Sequence, residues 1–94
     1  MIKSFAHVDT EAVFHGRRVP RLPAELLRPA LRKLLILDAA DALQDLRLPP
    51  GNRLEKLKGN RSRQYSIRIK EQWRICFEWR DGDAYSVEIT DYHS

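Results

Sequence analysis

Between Arg63 and Thr90 the chain is hydrophobic at every second residue, three times over. Tyr65, Ile67 and Ile69 alternate with Ser66, Arg68 and Lys70. Trp73, Ile75, Phe77 and Trp79 alternate with Arg74, Cys76, Glu78 and Arg80. Tyr85, Val87 and Ile89 alternate with Ser86, Glu88 and Thr90. A period of two belongs to a β-strand, whose successive side chains point to opposite sides. The links between the runs are short, and the second, Arg80–Asp83, holds Asp-Gly, a pair that accepts the positive φ of a tight hairpin turn. Short links make antiparallel neighbours. The result is a sheet with one apolar face, which must be covered.

The segment "AELLRPALRKLLILDAADAL" supplies the cover. Leu27, Leu31, Leu34, Leu35 and Leu37 recur at helical spacing, and Arg28, Arg32 and Lys33 occupy much of the opposite, solvated side. Pro29 either delays the regular helix to about Arg28 or kinks it. The pattern stops at Pro49, Pro50 and Gly51. Upstream, Ile2–Val8 is a short strand candidate. Asp9 or Thr10 caps a short helix running to about His15, and Gly16–Pro23 is a loop. "NRLEKLKG" after Gly51 reads as a further short strand. The expected layout is β-α-α-β-β-β-β, an α+β domain over residues 1–94 with helices on one face of an antiparallel sheet.

At 94 residues the chain holds one modest core. Lys and Arg number 17 against 13 Asp and Glu, so an anionic partner is expected, nucleic acid or an acidic protein. Cys76 is the single cysteine, which excludes an intrachain disulfide. The opening "MIKSFAHVD" has no apolar signal-peptide region and no run is long enough to span a membrane, so a cytoplasmic protein is expected. His7, His15 and His93 lack metal-ligand spacing, and the isolated glycines form no phosphate loop, so no cofactor is expected.

The polar parity of the three strands places Ser66, Arg68, Lys70, Arg74, Glu78 and Arg80 on one surface, and Arg53, Lys56, Lys58, Arg61 and Arg63 precede it. Eight basic residues fall between Lys56 and Arg80. An open basic face with its aromatics on the core side fits phosphate contacts better than base stacking. The bland reading of any one of these residues is a solvated strand position. Cys76, between Ile75 and Phe77, reads as an inert strand residue.

The stretch "RLEKLKGNRSRQYSIRIKEQWRICFEWRDGDAYSVEITDYH" resembles the HigB branch of the RelE superfamily, the plasmid-maintenance killer proteins. The likeness lies in "LKG", the "WRICF" strand, the "DGDAY" hairpin and the terminal "DYH", with "MIKSFAH" at the start. It implies a small toxin that acts as a ribosome-dependent mRNA endonuclease in the ribosomal A site. It also implies a partner helix-turn-helix antitoxin of the HigA kind; the long helix lacks a second helix at helix-turn-helix spacing, so DNA contact is expected only through that antitoxin. On this resemblance His93 is the acid/base, suited by an ordinary pKa near neutrality. Arg74 is the phosphate clamp, Lys58 adds charge stabilisation, Tyr92 orients the substrate and Asp91 positions His93. Lys70 or Arg68 binds phosphate, and Lys56, Arg61 and Arg63 extend the RNA contact. Relatives often carry a His where this chain has Glu55. The glutamate is either a replacement base, kept ionised by Lys56 and Lys58, or a surface residue of a weakened enzyme that serves only as a binding module. Strict alternation sends Asp91 and His93 to the core side unless the strand twists or ends first.

Overall fold

The structure, a computed structural model, describes residues 1–91. Helix α1 spans Val8–Phe14 and α2 spans Ala24–Ala39. Four strands follow, β1 (Glu55–Lys56), β2 (Gln64–Lys70), β3 (Trp73–Arg80) and β4 (Asp83–Asp91), paired antiparallel in chain order. None of the described helices is long and apolar enough to cross a membrane.

Both helices lie on the apolar side of the sheet. Leu26, Ala30, Leu34 and Leu37 form the buried stripe of α2 and meet Ile67, Ile75, Phe77, Val87 and Ile89. This corrects the expected stripe. Leu27 and Leu31 are half-buried and Leu35 is 51% exposed. The run of leucines offers several overlapping helical stripes, and Ala30 lets the backbone approach the sheet along one of them. Pro29 neither delays nor ends the helix, which runs through it from Ala24.

The N-terminal segment is shorter in structure than its alternation implies. Only two isolated parallel bridges, Ile2 to Ala84 and Phe5 to Val87, tie it to the edge of β4. Between them Ser86 adopts φ 53° and donates its N–H to Ser4 Oγ at 2.8 Å, a side-chain bond where a ladder would need a carbonyl. Helix α1 is capped by His7, whose Nδ1 accepts from the Asp9 N–H at 3.1 Å. Asp9 sits in the first turn and pairs with Arg21 at 2.7 Å instead of capping, and Thr10 is fully buried, its Oγ1 accepting the Ile89 N–H.

"NRLEKLKG" also shrinks, to the two residues of β1. The turn Pro50–Asn52 precedes it, Arg53 is left-handed with φ 44°, and a second turn begins at Gly59. Buried Asn52 locks this loop down by donating to the carbonyls of Leu46 and Leu48 and accepting from Lys33 Nζ. Lys33 therefore leaves the solvated helix face assigned to it. Burial, then repulsion from Arg32, lowers its pKa. At the other end Asp81 and Gly82 both have positive φ (51° and 82°), as the hairpin Asp-Gly requires.

Candidate active site

The polar face of the sheet can be read row by row from the strand register. One row runs Glu55, Ser66, Cys76, Glu88, and the next Arg68, Arg74, Thr90. Arg74 stands at the centre. Its residue is 9% exposed, which for an arginine demands partners. Nε donates to Ser66 Oγ at 2.7 Å, and Nη2 donates to the Arg53 carbonyl at 2.5 Å and the Ser66 carbonyl at 3.4 Å. The left-handed turn at Arg53 supplies one acceptor and β2 supplies the others. Three bonds on two nitrogens fix the guanidinium plane, and Nη1 takes part in none of them. The Glu55 carboxylate, on 58%-exposed ground, lies 3.9 Å from Nη2. A fixed cation beside an accessible carboxylate is the pair needed to hold a phosphoryl group and take a proton from a neighbouring hydroxyl.

The other assigned residues divide. Arg68 is the register partner of Arg74 and donates Nε to the Glu71 carbonyl at 3.1 Å. Arg61 arches over the Cys76 row, bonding Gln64 Oε1 at 2.8 Å and pairing with Glu88 at 3.4 Å. Lys58 and Arg63 are exposed, Lys58 just ahead of the turn Gly59–Arg61. Two residues leave the face. The register shifts between Arg68 and Lys70, so Lys70 stands opposite Trp73 and outside the row of Arg74. Lys56 pairs with Tyr65 on the reverse side of β1, with Nζ 4.6 Å from the ring centre and 2.8 Å from the Ser62 carbonyl. Asp91 ends β4 opposite Trp73, in the row its parity implied. Tyr92 and His93 lie outside the described residues.

The face carries acids as well as bases, because Glu55, Glu78 and Glu88 share it with the arginines. A second irregularity, between Cys76 and Glu78, moves Tyr85 off its expected core parity. Tyr85 pairs with Glu78, under Arg80 at 4.0 Å, and Ala84 takes the core position instead. Cys76 is fully buried beneath this layer. Burial raises its thiol pKa, against smaller opposing effects of Thr90, Arg61 and Arg74. Ser66 and the Arg53 carbonyl are site groups that the sequence does not mark as such. The signal for Ser66 was its place on the polar parity of β2. A backbone carbonyl leaves no signal in composition.

A four-stranded antiparallel sheet covered on one face by two helices is the α+β architecture expected of a small toxin domain of the resembled family. The whole-chain comparison is specific: residues 3–93 match the family of RelE-like toxins of the type II toxin-antitoxin system HigB. The chain belongs to that family. It is 51% identical over 68 residues to Toxin HigB-1 of Vibrio cholerae, covering 72% of each chain. It is 33% identical over 93 residues to Endoribonuclease HigB of Proteus vulgaris, covering 99% of this chain and 100% of the relative. An uncharacterized protein of Haemophilus influenzae is 31% identical over 80 residues, 85% of this chain and 78% of its own length.

Proposed function

We propose that this type II toxin is an endoribonuclease that cuts mRNA in the ribosomal A site and is neutralised in the cytoplasm by a helix-turn-helix antitoxin. The observation that carries the catalytic reading is the anchored guanidinium of Arg74 beside the Glu55 carboxylate. The name of the Proteus vulgaris relative supports the same chemistry.

The reaction proposed needs no metal. The ribose 2′-oxygen attacks the adjacent phosphorus, its proton passes to a base, and the bond from phosphorus to the 5′-oxygen breaks. The leaving oxygen takes a proton from an acid, which yields a 2′,3′-cyclic phosphate and a 5′-hydroxyl. Arg74 stabilises the charge that builds on the phosphoryl oxygens, a role its fixed plane suits because no reorganisation is needed at the moment of reaction. Glu55 takes the 2′-proton, His93 returns a proton to the leaving oxygen, and Tyr92 and Asp91 orient it. Lys58 and Arg68 add positive charge along the backbone.

Inducing the chain without its antitoxin should stop growth and leave mRNA ends phased with codons, on ribosome-bound message only. A 2′-deoxy substitution at the cut position should abolish the product. Normal growth with no phased ends overturns the proposal.

A further inference from the structure

Beside the edge of the sheet, on the side facing away from Arg74, lies a cleft of about 480 Å³ that the reaction above does not use. Leu43, Gln44, Arg47, Leu54, Lys56 and Tyr65 line it. We propose that this cleft is a second RNA subsite, holding one unpaired nucleotide by stacking its base on Tyr65 and its phosphate between Lys56 and Arg47.

The chemistry of the lining selects the ligand. It contains two cations and no carboxylate. Asp45, the nearby acid of the turn Leu43–Arg47, is occupied in accepting the N–H groups of Asp41 and Ala42 at 3.1 and 3.0 Å. Tyr65 packs one side of its ring on Phe77, with centroids 6.2 Å apart, and carries the Lys56 ammonium over it at 4.6 Å. That ammonium is a placeholder for a base. It is exposed, its one hydrogen bond among the described residues goes to the Ser62 carbonyl, and it can swing onto a phosphate when a base takes its place over the ring. Leu43 and Leu54 give apolar walls for the base, and the amide of Gln44 offers donor and acceptor to its edge. The volume falls within the range that suits a ligand of nucleotide size.

Position gives the cleft its use. Glu55 and Lys56 are adjacent residues of a two-residue strand, so one faces Arg74 and the other the cleft. An RNA strand leaving the reaction centre reaches the cleft by turning around a single thin edge. The subsite rests on the ribonuclease reading for the identity of its ligand as RNA.

The test uses the full chain carrying Arg74→Ala, so that RNA survives. A fluorescein-labelled single-stranded octaribonucleotide reports binding. Arg47→Glu and Lys56→Glu should each weaken it about tenfold, as should Tyr65→Leu through lost stacking. Arg32→Glu on α2 makes the same charge change at a distance and sets the baseline. Cleft variants no weaker than Arg32→Glu overturn the proposal. Arg47 and Lys56 are exposed, so their variants remain informative if Tyr65→Leu misfolds. Ultraviolet cross-linking to 30S subunits identifies the source of the nucleotide. Cross-links from residues 54–65 to a 4-thiouridine message assign the cleft to mRNA, and cross-links to 16S RNA in empty subunits assign it to the ribosome. Cross-links to neither overturn it. If the wild type cuts nothing yet the cleft variants bind more weakly than the baseline, the catalytic reading fails and the subsite stands.

Discussion

The two faces of the sheet are held by different physics. On the helix side, Leu34, Leu37, Ile67, Ile75 and Phe77 are wholly buried and interchange small, nondirectional contacts. Their arrangement tolerates a choice among stripes, which is why α2 could settle on Leu26, Ala30, Leu34 and Leu37. On the polar side, Arg74 is nearly as buried, but each of its contacts has a direction and a required partner. Burying a guanidinium without partners is costly, so its position is specified one bond at a time. Burial of apolar groups acts without direction, while burial of a charge demands partners placed one by one.

That contrast can be broken at several points. The largest effect is expected on the apolar side, where Leu34→Ala should cost about 3 kcal/mol in chemical denaturation by removing a wholly buried side chain. Failure to see this would mean α2 repacks along an alternative stripe. On the polar side, under the proposed reaction, Arg74→Ala should lower the rate of RNA cleavage about 100-fold or more. Arg74→Lys should recover little of it, because one ammonium cannot reach Ser66 and Arg53 in the same geometry. A lysine variant with near-normal rates would reduce Arg74 to a diffuse positive charge. Asn52→Ala should cost about 2 kcal/mol of stability in the same denaturation assay by leaving two carbonyls and Lys33 without partners.

The thiol of Cys76 gives a sharper probe of the layer over it. Its raised pKa leaves less thiolate at neutral pH than an ordinary cysteine has, so alkylation by iodoacetamide should be slow in the folded protein. Raising the pH should speed it only above the usual thiol range, and unfolding should release it at once. The smallest effect belongs to Arg61→Ala, below about 1 kcal/mol, since its pair with Glu88 is about one-third exposed on each side. Monitoring Cys76 alkylation in that variant separates a lid from a surface ornament: a lid raises the rate with stability unchanged.

Much of this molecule could be read from its residues. The three alternating runs and the Asp-Gly turn specify the strands and their antiparallel order, because periodicity and turn chemistry are local. The polar parity led to Arg74 and Arg68 for the same reason. What local pattern could not carry was register. The irregularity beside Lys70 removed that residue from the row of Arg74, and the one near Tyr85 moved a tyrosine to the polar face. Alternation was right within each run and silent on the single extra residue that inverts it. Lys56 and Glu55 were grouped as neighbours in sequence, yet neighbours on a strand face opposite ways.

By itself, then, the sequence determined that an apolar sheet face would be covered by helices and that arginines would line the other, since hydrophobic periodicity acts over a few residues. Only the tertiary structure decided which arginine is held fast. The left-handed carbonyl of Arg53 and the hydroxyl of Ser66 come from separate segments, and a guanidinium can be buried only where distant parts of the chain converge on it.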